Sequence, residues 1–253
     1  VFLEIFYPYM NGVLTSTVEL VKGLKERGHE VVYITPKTEF SFDNEKFLAN
    51  DDVIYTNSVS SLLYPGMNMS WPFSESLLNK LKEKKIDVIH FTGPFTMGMA
   101  AIWLGKKLKI PVVQTFHTLL FEDTYLKYAK IDWVPYASNL AWVCINYFNK
   151  RSTIITVPAK YTYDQIVKNC KNKNLTIIPN PIDLERFKNP ITFEKLREIV
   201  PQYNKKSFIF VGRLGHEKSV EILIEAMKKV IAKDNEIKFF IVGAGPDEEK
   251  FHN

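Results

Sequence analysis

The stretch Phe208-Ile-Phe-Val-Gly-Arg-Leu-Gly-His-Glu-Lys-Ser219 decides the fold that we predict for this chain of 253 residues. Its apolar start, residues 208–211, predicts a buried strand. Gly212 ends that strand, Arg213 and Lys218 follow in the turn, and residues at helical spacing come next. A glycine lets the backbone approach an anion, and a helix N-terminus offers free N–H groups and partial positive charge. The pattern therefore suits a bound diphosphate, although a surface turn with two solvated cations would have the same sequence.

Composition narrows the class of protein. Hydrophobic residues make up 46% and charged residues 24% of the chain, which is typical of a soluble globular protein. We expect no transmembrane helix, because no apolar run reaches about 18 residues. We also expect no signal peptide, because the chain opens in an apolar run without a preceding basic segment. Cys144 and Cys170 have no metal-binding spacing and are predicted to be free thiols in a reducing compartment.

The net charge of +5 and a pI near 8.9 permit anionic partners. The basic residues are dispersed and are not interleaved with aromatic residues as a stacking platform, so we expect no nucleic acid to bind.

Apolar runs alternate with amphipathic stretches along the whole chain, which predicts an α/β fold with parallel sheets and helices on both faces. Strands are predicted at residues 1–6, 30–35, 52–55, 87–91, 111–116, 153–157, 175–178, 208–211 and 237–242. Helices are predicted at residues 13–27, 74–85, 136–151, 162–170, 194–200 and 220–230, with a further helix that ends at Leu108 and a loop over 64–72. A proline-rich connection at 179–183 suggests two domains, 1–180 and 181–253, the second of them incomplete.

In open parallel sheets, ligands bind at the carboxyl ends of the strands. His90, His117 and the turn at Asn11-Gly12 fall at such ends. A single histidine is usually a hydrogen-bonded structural residue; two of them favour a functional role for His117 and leave His90 open. The absence of Gly-x-Gly-x-x-Gly after the first strand argues against NAD, and Gly243-x-Gly245 is a weak signal by itself. No zinc spacing, Walker sequence or nucleophile elbow occurs.

Taken together and in order, several motifs resemble the retaining GT-B glycosyltransferases of family 4 over essentially the whole chain. They are Arg-Gly-His-Glu-Val at 27–31, His117, Ile-Pro-Asn-Pro-Ile-Asp at 178–183, Val-Gly-Arg-Leu-Gly-His-Glu-Lys at 211–218 and Ile-Val-Gly-Ala-Gly-Pro at 241–246. The segments 91–98, 114–118 and 122–125 resemble most the branch that glucosylates or galactosylates diacylglycerol.

The resemblance implies two Rossmann-like domains, an N-terminal one on the acceptor side and a partial C-terminal one that binds the nucleotide sugar. Gly12 would then lie against the donor phosphates or the acceptor, and His117 would be the catalytic residue that contacts the transferred sugar. Arg213 and Lys218 would hold the donor diphosphate and stabilise it as it leaves. Further candidates for donor or acceptor contacts are Asn11, His90, Gly212, Gly243 and Gly245. The resemblance implies no metal ion and no other cofactor.

The implied activity moves a hexose, with retention, from UDP-glucose or UDP-galactose to a lipid such as diacylglycerol. A soluble metabolite and a phosphatidylinositol-like lipid are alternative acceptors. A nucleotide-sugar-binding fragment without turnover is the alternative from another class, because the sequence reaches Asn253 before the place where the family's downstream acidic motif, Glu-x7-Glu, would occur.

We expect a cytoplasmic protein, peripheral on the inner face of the cell membrane. Leu77, Leu78 and Leu81 share one face of the helix at 74–85, which also carries four lysines. This pattern fits an interfacial helix on anionic lipid and, equally, a surface helix packed on the sheet.

Overall fold

A computed structural model describes residues 1–7, 9, 11–38, 52–60, 68–117, 137–170, 174–215, 218–245 and 247–251. The chain divides into two compact units, Val1–Ile182 and Asp183–Asn253. The predicted boundary after residue 180 lies in the same connection, and the acceptor and donor roles of the two domains stay predictions.

The first unit is built on a parallel sheet. The strands of this unit are β1 (Val32–Pro36), β2 (Asp52–Thr56), β3 (Ser58–Ser60), β4 (Asn68–Ser70), β5 (Ile89–Phe91), β6 (Val112–Thr115), β7 (Ile154–Val157) and β8 (Leu175–Ile177). β1 pairs with β2, and β5 to β8 pair in sequence order, all in parallel. Phe2 bridges Ile34 of β1 and Phe91 of β5, so the first residues lie between the two groups of strands. The strand predicted at 1–6 is therefore a bridge at Phe2 rather than an extended ladder.

Helices cover both faces of this sheet. They are α1 (Gly12–Lys25), α2 (Glu75–Glu83), α3 (Thr96–Leu108), α4 (Ala137–Asn149) and α5 (Lys160–Asn169). Successive residues of a strand point to opposite faces. Phe2 accordingly joins the core beneath α2 and α3, whereas its neighbour Leu3 packs with Leu14 and Val21 of α1. The predicted doubly covered sheet is confirmed, and most element ends agree with the prediction to within two residues.

The loop predicted over 64–72 is wrong in its second half. Asn68–Ser70 forms β4, which pairs antiparallel with β3, and residues 64–67 lie outside the described part of the chain. Polar side chains hold this hairpin in place: Ser70 Oγ donates to the carbonyl of Asn57 at 2.7 Å. Val59 and Met69 alternate with polar neighbours, but each strand has only three residues, which is too short for hydrophobic periodicity to predict it.

The helix predicted at 74–85 forms as α2, with Ser74 as its N-cap, but its leucines do not face outward. Leu77, Leu78 and Leu81 are 5%, 3% and 1% exposed and belong to the main core. The apolar half of the interfacial-helix prediction is therefore wrong, because the sheet already covers the face that would enter lipid. The lysines on the other face remain exposed, and Lys84 pairs with Asp52.

The second unit contains a smaller parallel pair of strands. Its elements are a 3₁₀ turn (Leu184–Phe187), α6 (Phe193–Ile199), β9 (Ser207–Val211), α7 (Val220–Ile231), β10 (Lys238–Val242) and a 3₁₀ turn (Glu248–Phe251). β9 and β10 pair in register from Ser207 to Val211, and α7 buries Val220 and Met227. The prediction that 208–211 is buried is wrong: Ile209 and Val211 are 65% and 69% exposed. The described elements of this unit are too few to cover both faces of β9.

Candidate active site

The carboxyl edge of the first sheet brings two histidines into one neighbourhood. His90 lies in β5, and His117 follows β6. Burial lowers the pKa of His90 to about 3, with smaller contributions from the α-amino group of Val1 and from His117. Burial also lowers the pKa of His117 to about 4. Both imidazoles are therefore neutral near pH 7 and act there as hydrogen-bonding groups rather than as cations.

The first turn after the opening segment exposes backbone at the start of α1. Gly12 is exposed, and a Cβ atom placed there would meet nothing within 4 Å. Packing within the described residues thus does not require a glycine, and the open space suits a ligand that approaches the backbone. Asn11 Oδ1 already accepts a hydrogen bond from the amide of Leu14 at 2.8 Å as the N-cap of α1. This leaves the Asn11 amide group, rather than its oxygen, for a ligand.

A buried carboxylate near this edge escaped the sequence analysis. Glu4 is 8% exposed, and its Oε1 accepts hydrogen bonds from the amides of Met97 and Gly98 at 2.9 and 3.4 Å, at the start of α3. Burial raises the pKa of Glu4 to about 7, against the opposing effect of these backbone hydrogen bonds. The one signal in the sequence was an acidic residue inside an apolar run.

In the second unit, the loops that follow β9 and β10 continue to pair beyond the strands. The amide of Gly212 donates to Val242, and that of Leu214 donates to Ala244, both at 3.0 Å. A Cβ at Gly243 would lie 1.8 Å from the carbonyl oxygen of Gly212, and one at Gly245 would lie 2.1 Å from that of Leu214. The packing of one loop on the other thus explains these two glycines without a ligand. Their predicted ligand contacts stay predictions.

The cations predicted to bind diphosphate lie at the start of α7. Arg213 is half-buried in the loop after β9, and Lys218 is exposed just before the helix. Ser219 precedes α7 with a φ of 49°, and its side chain makes no capping hydrogen bond. Within the described residues, the first N–H groups of α7 therefore have no side-chain cap, an arrangement that suits an anion at the helix start. Glu217, next to Lys218 in the sequence, lies outside the described residues.

Each unit thus collects its own set of predicted site residues. Asn11, Gly12, His90 and His117 belong to the first, and Gly212, Arg213, Lys218, Gly243 and Gly245 to the second. The contact of His117 with the transferred sugar stays a prediction. Among the described residues, no group of His, Cys, Asp or Glu side chains could hold a metal ion.

A separate groove of about 510 Å³ lies at the opposite end of the first sheet. Its lining includes Val112 at the start of β6 and Thr153 just before β7, together with Trp103, Tyr147 and Arg151. Ligands of open parallel sheets bind at the other, carboxyl ends of the strands. We therefore do not assign the predicted chemistry to this groove.

Two parallel α/β units, with imidazoles at the strand ends of one and cations at a helix start of the other, fit the predicted GT-B class of glycosyltransferase fold. A glycosyltransferase from Rickettsia africae has this fold, with a TM-score of 0.63 at 16% identity over 95% of this chain and 68% of that one. Staphylococcus aureus MnaA, in its UDP co-structure, has a TM-score of 0.54 at 14% identity, covering 90% and 59% of the two chains. At these identities the likeness establishes the fold alone.

Matches to models of protein families identify the family. Glycosyltransferase Family 4 matches residues 10–186, and Glycosyl transferases group 1 matches residues 192–253. The chain belongs to glycosyltransferase family 4.

Curated relatives are similar along most of the chain. An alpha-monoglucosyldiacylglycerol synthase of Acholeplasma laidlawii is 31% identical over 98% of this chain and 63% of its own length. The synthase of the same name from Streptococcus pneumoniae is 25% identical over 97% of this chain and 55% of its own length. Arabidopsis thaliana sulfoquinovosyl transferase SQD2 is 26% identical over 96% of this chain. The chain thus spans less than two thirds of the length of these relatives.

In the part of the chain that the structure describes, no helix is long and apolar enough to cross a membrane. Cys144 is exposed and Cys170 is buried, and both are free, as predicted.

Proposed function

We propose that the full-length protein is a retaining glycosyltransferase that moves a hexose from a nucleotide sugar to diacylglycerol. The observation that carries the proposal is the pair Arg213 and Lys218 beside the start of α7, where the side chain of Ser219 makes no capping hydrogen bond. The names of the two synthases support diacylglycerol as the acceptor and glucose as the transferred sugar. UDP-glucose or UDP-galactose as the donor follows from the resemblance alone.

The proposed chemistry follows from how charge changes during transfer. When the glycosidic bond to the donor breaks, the departing diphosphate gains negative charge. Fixed cations and helix N–H groups at that place act more strongly on the transition state than on the intact donor. Arg213 supplies a planar fork with two-pronged reach, and Lys218 a mobile point charge. His117, neutral at pH 7, would contact a hydroxyl of the transferred sugar.

We further propose that the protein meets the inner face of the cell membrane through charge rather than through insertion of α2. The leucines of α2 are packed inside, whereas Lys80 and Lys82 are exposed. Exposed lysines attract anionic headgroups by about 1 kcal/mol each. Trp71, which is 73% exposed just before α2, would supply an apolar contact at the interface.

Product analysis of the full-length protein tests the proposal. Purified protein is incubated with a panel of nucleotide sugars and with diacylglycerol, a phosphoinositide or soluble sugars, and the products are identified by mass spectrometry. Hexosyl-diacylglycerol with release of UDP is the expected result. Donor binding without product for any acceptor would favour the binding module, and a product on another acceptor would correct the acceptor alone.

Variants then test the role of the two cations. Arg213→Ala and Lys218→Ala should each lower turnover at least tenfold, about 1.4 kcal/mol, and weaken donor affinity less. Arg213→Lys should restore turnover only in part. Lys233→Ala, which removes an exposed lysine beyond the other end of α7, is the matched control. Turnover within about twofold of wild type in both alanine variants, well under that 1.4 kcal/mol step, would overturn the diphosphate assignment.

A further inference from the structure

A chain of hydrogen bonds crosses three strands of the first sheet just below the edge where they end. His90 Nε2 lies 2.7 Å from Thr115 Oγ1, and Thr115 Oγ1 lies 2.7 Å from Thr156 Oγ1. Thr156 Oγ1 in turn donates to the main-chain carbonyl of Gln114 at 3.4 Å. Thr115 is the last residue of β6, and His117 comes two residues later on the same face of the strand path.

Only one direction of the chain makes all three contacts hydrogen bonds, because the opposite one makes Thr115 the donor to Nε2 and gives up the 3.4 Å contact. In that direction the hydroxyl proton of Thr156 points to the carbonyl oxygen of Gln114, which only accepts. Each threonine has one hydroxyl proton, so Thr115 must then donate to Thr156. The contact between His90 and Thr115 can be a hydrogen bond only if Nε2 carries the proton. Because a neutral imidazole has one N–H group, Nδ1 of His90 is left as an acceptor.

That acceptor has no hydrogen-bond partner among the residues that the structure describes. His90 is half-buried and lies opposite Val113 in the sheet. Its hydrogen bond to Thr115, two residues further along β6, directs the ring towards the carboxyl edge. The low pKa of about 3 keeps the ring neutral, and Nδ1 an acceptor, throughout the physiological range. Burial is the main cause of the lowered pKa of His90, and the charged groups that lower it further are the α-amino group of Val1 and the imidazole of His117.

We propose that His90 Nδ1 accepts a hydrogen bond from a hydroxyl group of the substrate, next to His117, and that Thr115 and Thr156 hold the ring in the tautomer that makes this possible. His90 is then a specificity residue that selects a hydroxyl at one position of the transferred sugar or of the lipid acceptor. The inference rests on the proposed function for the identity of the substrate. The tautomer of His90 does not depend on the proposed function.

Nuclear magnetic resonance of the full-length protein with ¹⁵N-labelled histidine tests the tautomer without any turnover. Long-range ¹H–¹⁵N correlations distinguish the protonated from the unprotonated ring nitrogen, and the signals that vanish in His90→Gln assign the ring. We expect protonated Nε2 and unprotonated Nδ1 at pH 7. We also expect a mixture of tautomers in Thr156→Val, where Thr115 is free to turn its proton towards His90. Protonated Nδ1 in the wild-type protein would overturn the inference, even if the enzyme transfers glucose to diacylglycerol as proposed.

Two substitutions separate the two nitrogens of the ring. Asparagine reaches the place of Nδ1 and can accept there, whereas glutamine reaches the place of Nε2 and can donate to Thr115 while losing Nδ1. We expect His90→Gln to raise KM about tenfold for one substrate, the cost of about one hydrogen bond, and His90→Asn to raise it less. The substrate whose KM rises, donor or acceptor, shows which molecule supplies the hydroxyl, and that substrate without the hydroxyl should bind equally to wild type and His90→Gln.

Thr176→Val is the control for this series, since Thr176 lies in register with Thr156 on β8 but takes no part in the chain. If His90→Gln keeps the wild-type KM for both substrates and only His90→Asn is impaired, the chain is structural and the substrate contact is refuted.

Discussion

Replacing Glu4 with glutamine should make the stability of the first unit less sensitive to alkali. The Glu4 carboxylate lies in the core, where it accepts hydrogen bonds from the amides of Met97 and Gly98. Burial raises the pKa of Glu4 from 4.5 to about 7. A folded-state pKa above the unfolded one means that the native state binds the proton more tightly. The stability that this contributes is fully present below pH 4.5 and is lost as the pH rises through 7.

The size of the effect follows from the same two values. The difference between 4.5 and about 7 is about 2.5 pH units, and at 1.36 kcal/mol per unit this amounts to about 3 kcal/mol by pH 8. Glutamine has nearly the same shape, stays neutral at every pH, and keeps a carbonyl oxygen that can accept the amides of α3. The free energy of unfolding of Glu4→Gln should therefore exceed that of wild type by less than about 1 kcal/mol at pH 5 and by about 3 kcal/mol at pH 8.

Urea unfolding at pH 5, 6, 7 and 8 measures this difference. All four tryptophans of the chain precede residue 183, so their fluorescence reports on the first unit. The buried histidines titrate in both proteins and cancel in the comparison. Glu75→Gln, in the exposed first turn of α2, is the matched control for loss of an acidic group from a helix start. A difference between Glu4→Gln and wild type that stays constant from pH 5 to pH 8 would refute the argument.

Two further predictions concern the predicted catalytic residue and the glycine turn. His117→Ala should lower turnover of the full-length enzyme on the order of 10²-fold, as for loss of one positioned group; normal rates, or unfolding seen by circular dichroism, would make His117 structural. Gly245→Ala should lower the melting temperature of the second unit in calorimetry, because its Cβ would lie 2.1 Å from the Leu214 carbonyl oxygen. Gly23→Ala, whose Cβ would be 3.5 Å from Arg27 within α1, should instead stabilise by about 0.5–1 kcal/mol, and equal effects of the two would refute the packing argument.

Hydrophobic spacing predicted the helices and the parallel strands because both depend on one buried face. The helix predicted at 13–27 forms at Gly12–Lys25, and Gly28 ends it with a φ of 84°. The hairpin of β3 and β4 escaped prediction because each strand has only three residues and side-chain hydrogen bonds hold it in place. Spacing alone also could not tell whether the leucines of α2 face the core or a membrane, since an amphipathic helix has the same pattern in both settings.

In the candidate site, too, some residues could be predicted from the sequence and others could not. The rule that ligands meet the carboxyl ends of parallel strands selected His90 and His117 from the sequence, and the structure places both at that edge. The burial of Glu4 and the hydrogen bonds of Thr115 depend on residues distant in sequence, so no local sequence pattern could predict them. Gly245 was noticed as a ligand-binding candidate, but its Cα faces the neighbouring loop, a contact that only the folded chain reveals.

Charge separates the proposed tasks of the two units. Burial keeps His90 and His117 neutral well below pH 7, so the first unit offers hydrogen bonds rather than positive charge at its strand ends. The second unit places Arg213 and Lys218 at a helix start that is itself partly positive. We therefore expect a diphosphate to be attracted to the second set alone and uncharged hydroxyls to bind at the first. If the histidines had ordinary pKa values, slight acidification would add cations to the sugar-binding edge and offer the diphosphate a second place to bind; their burial removes that competition across the physiological range.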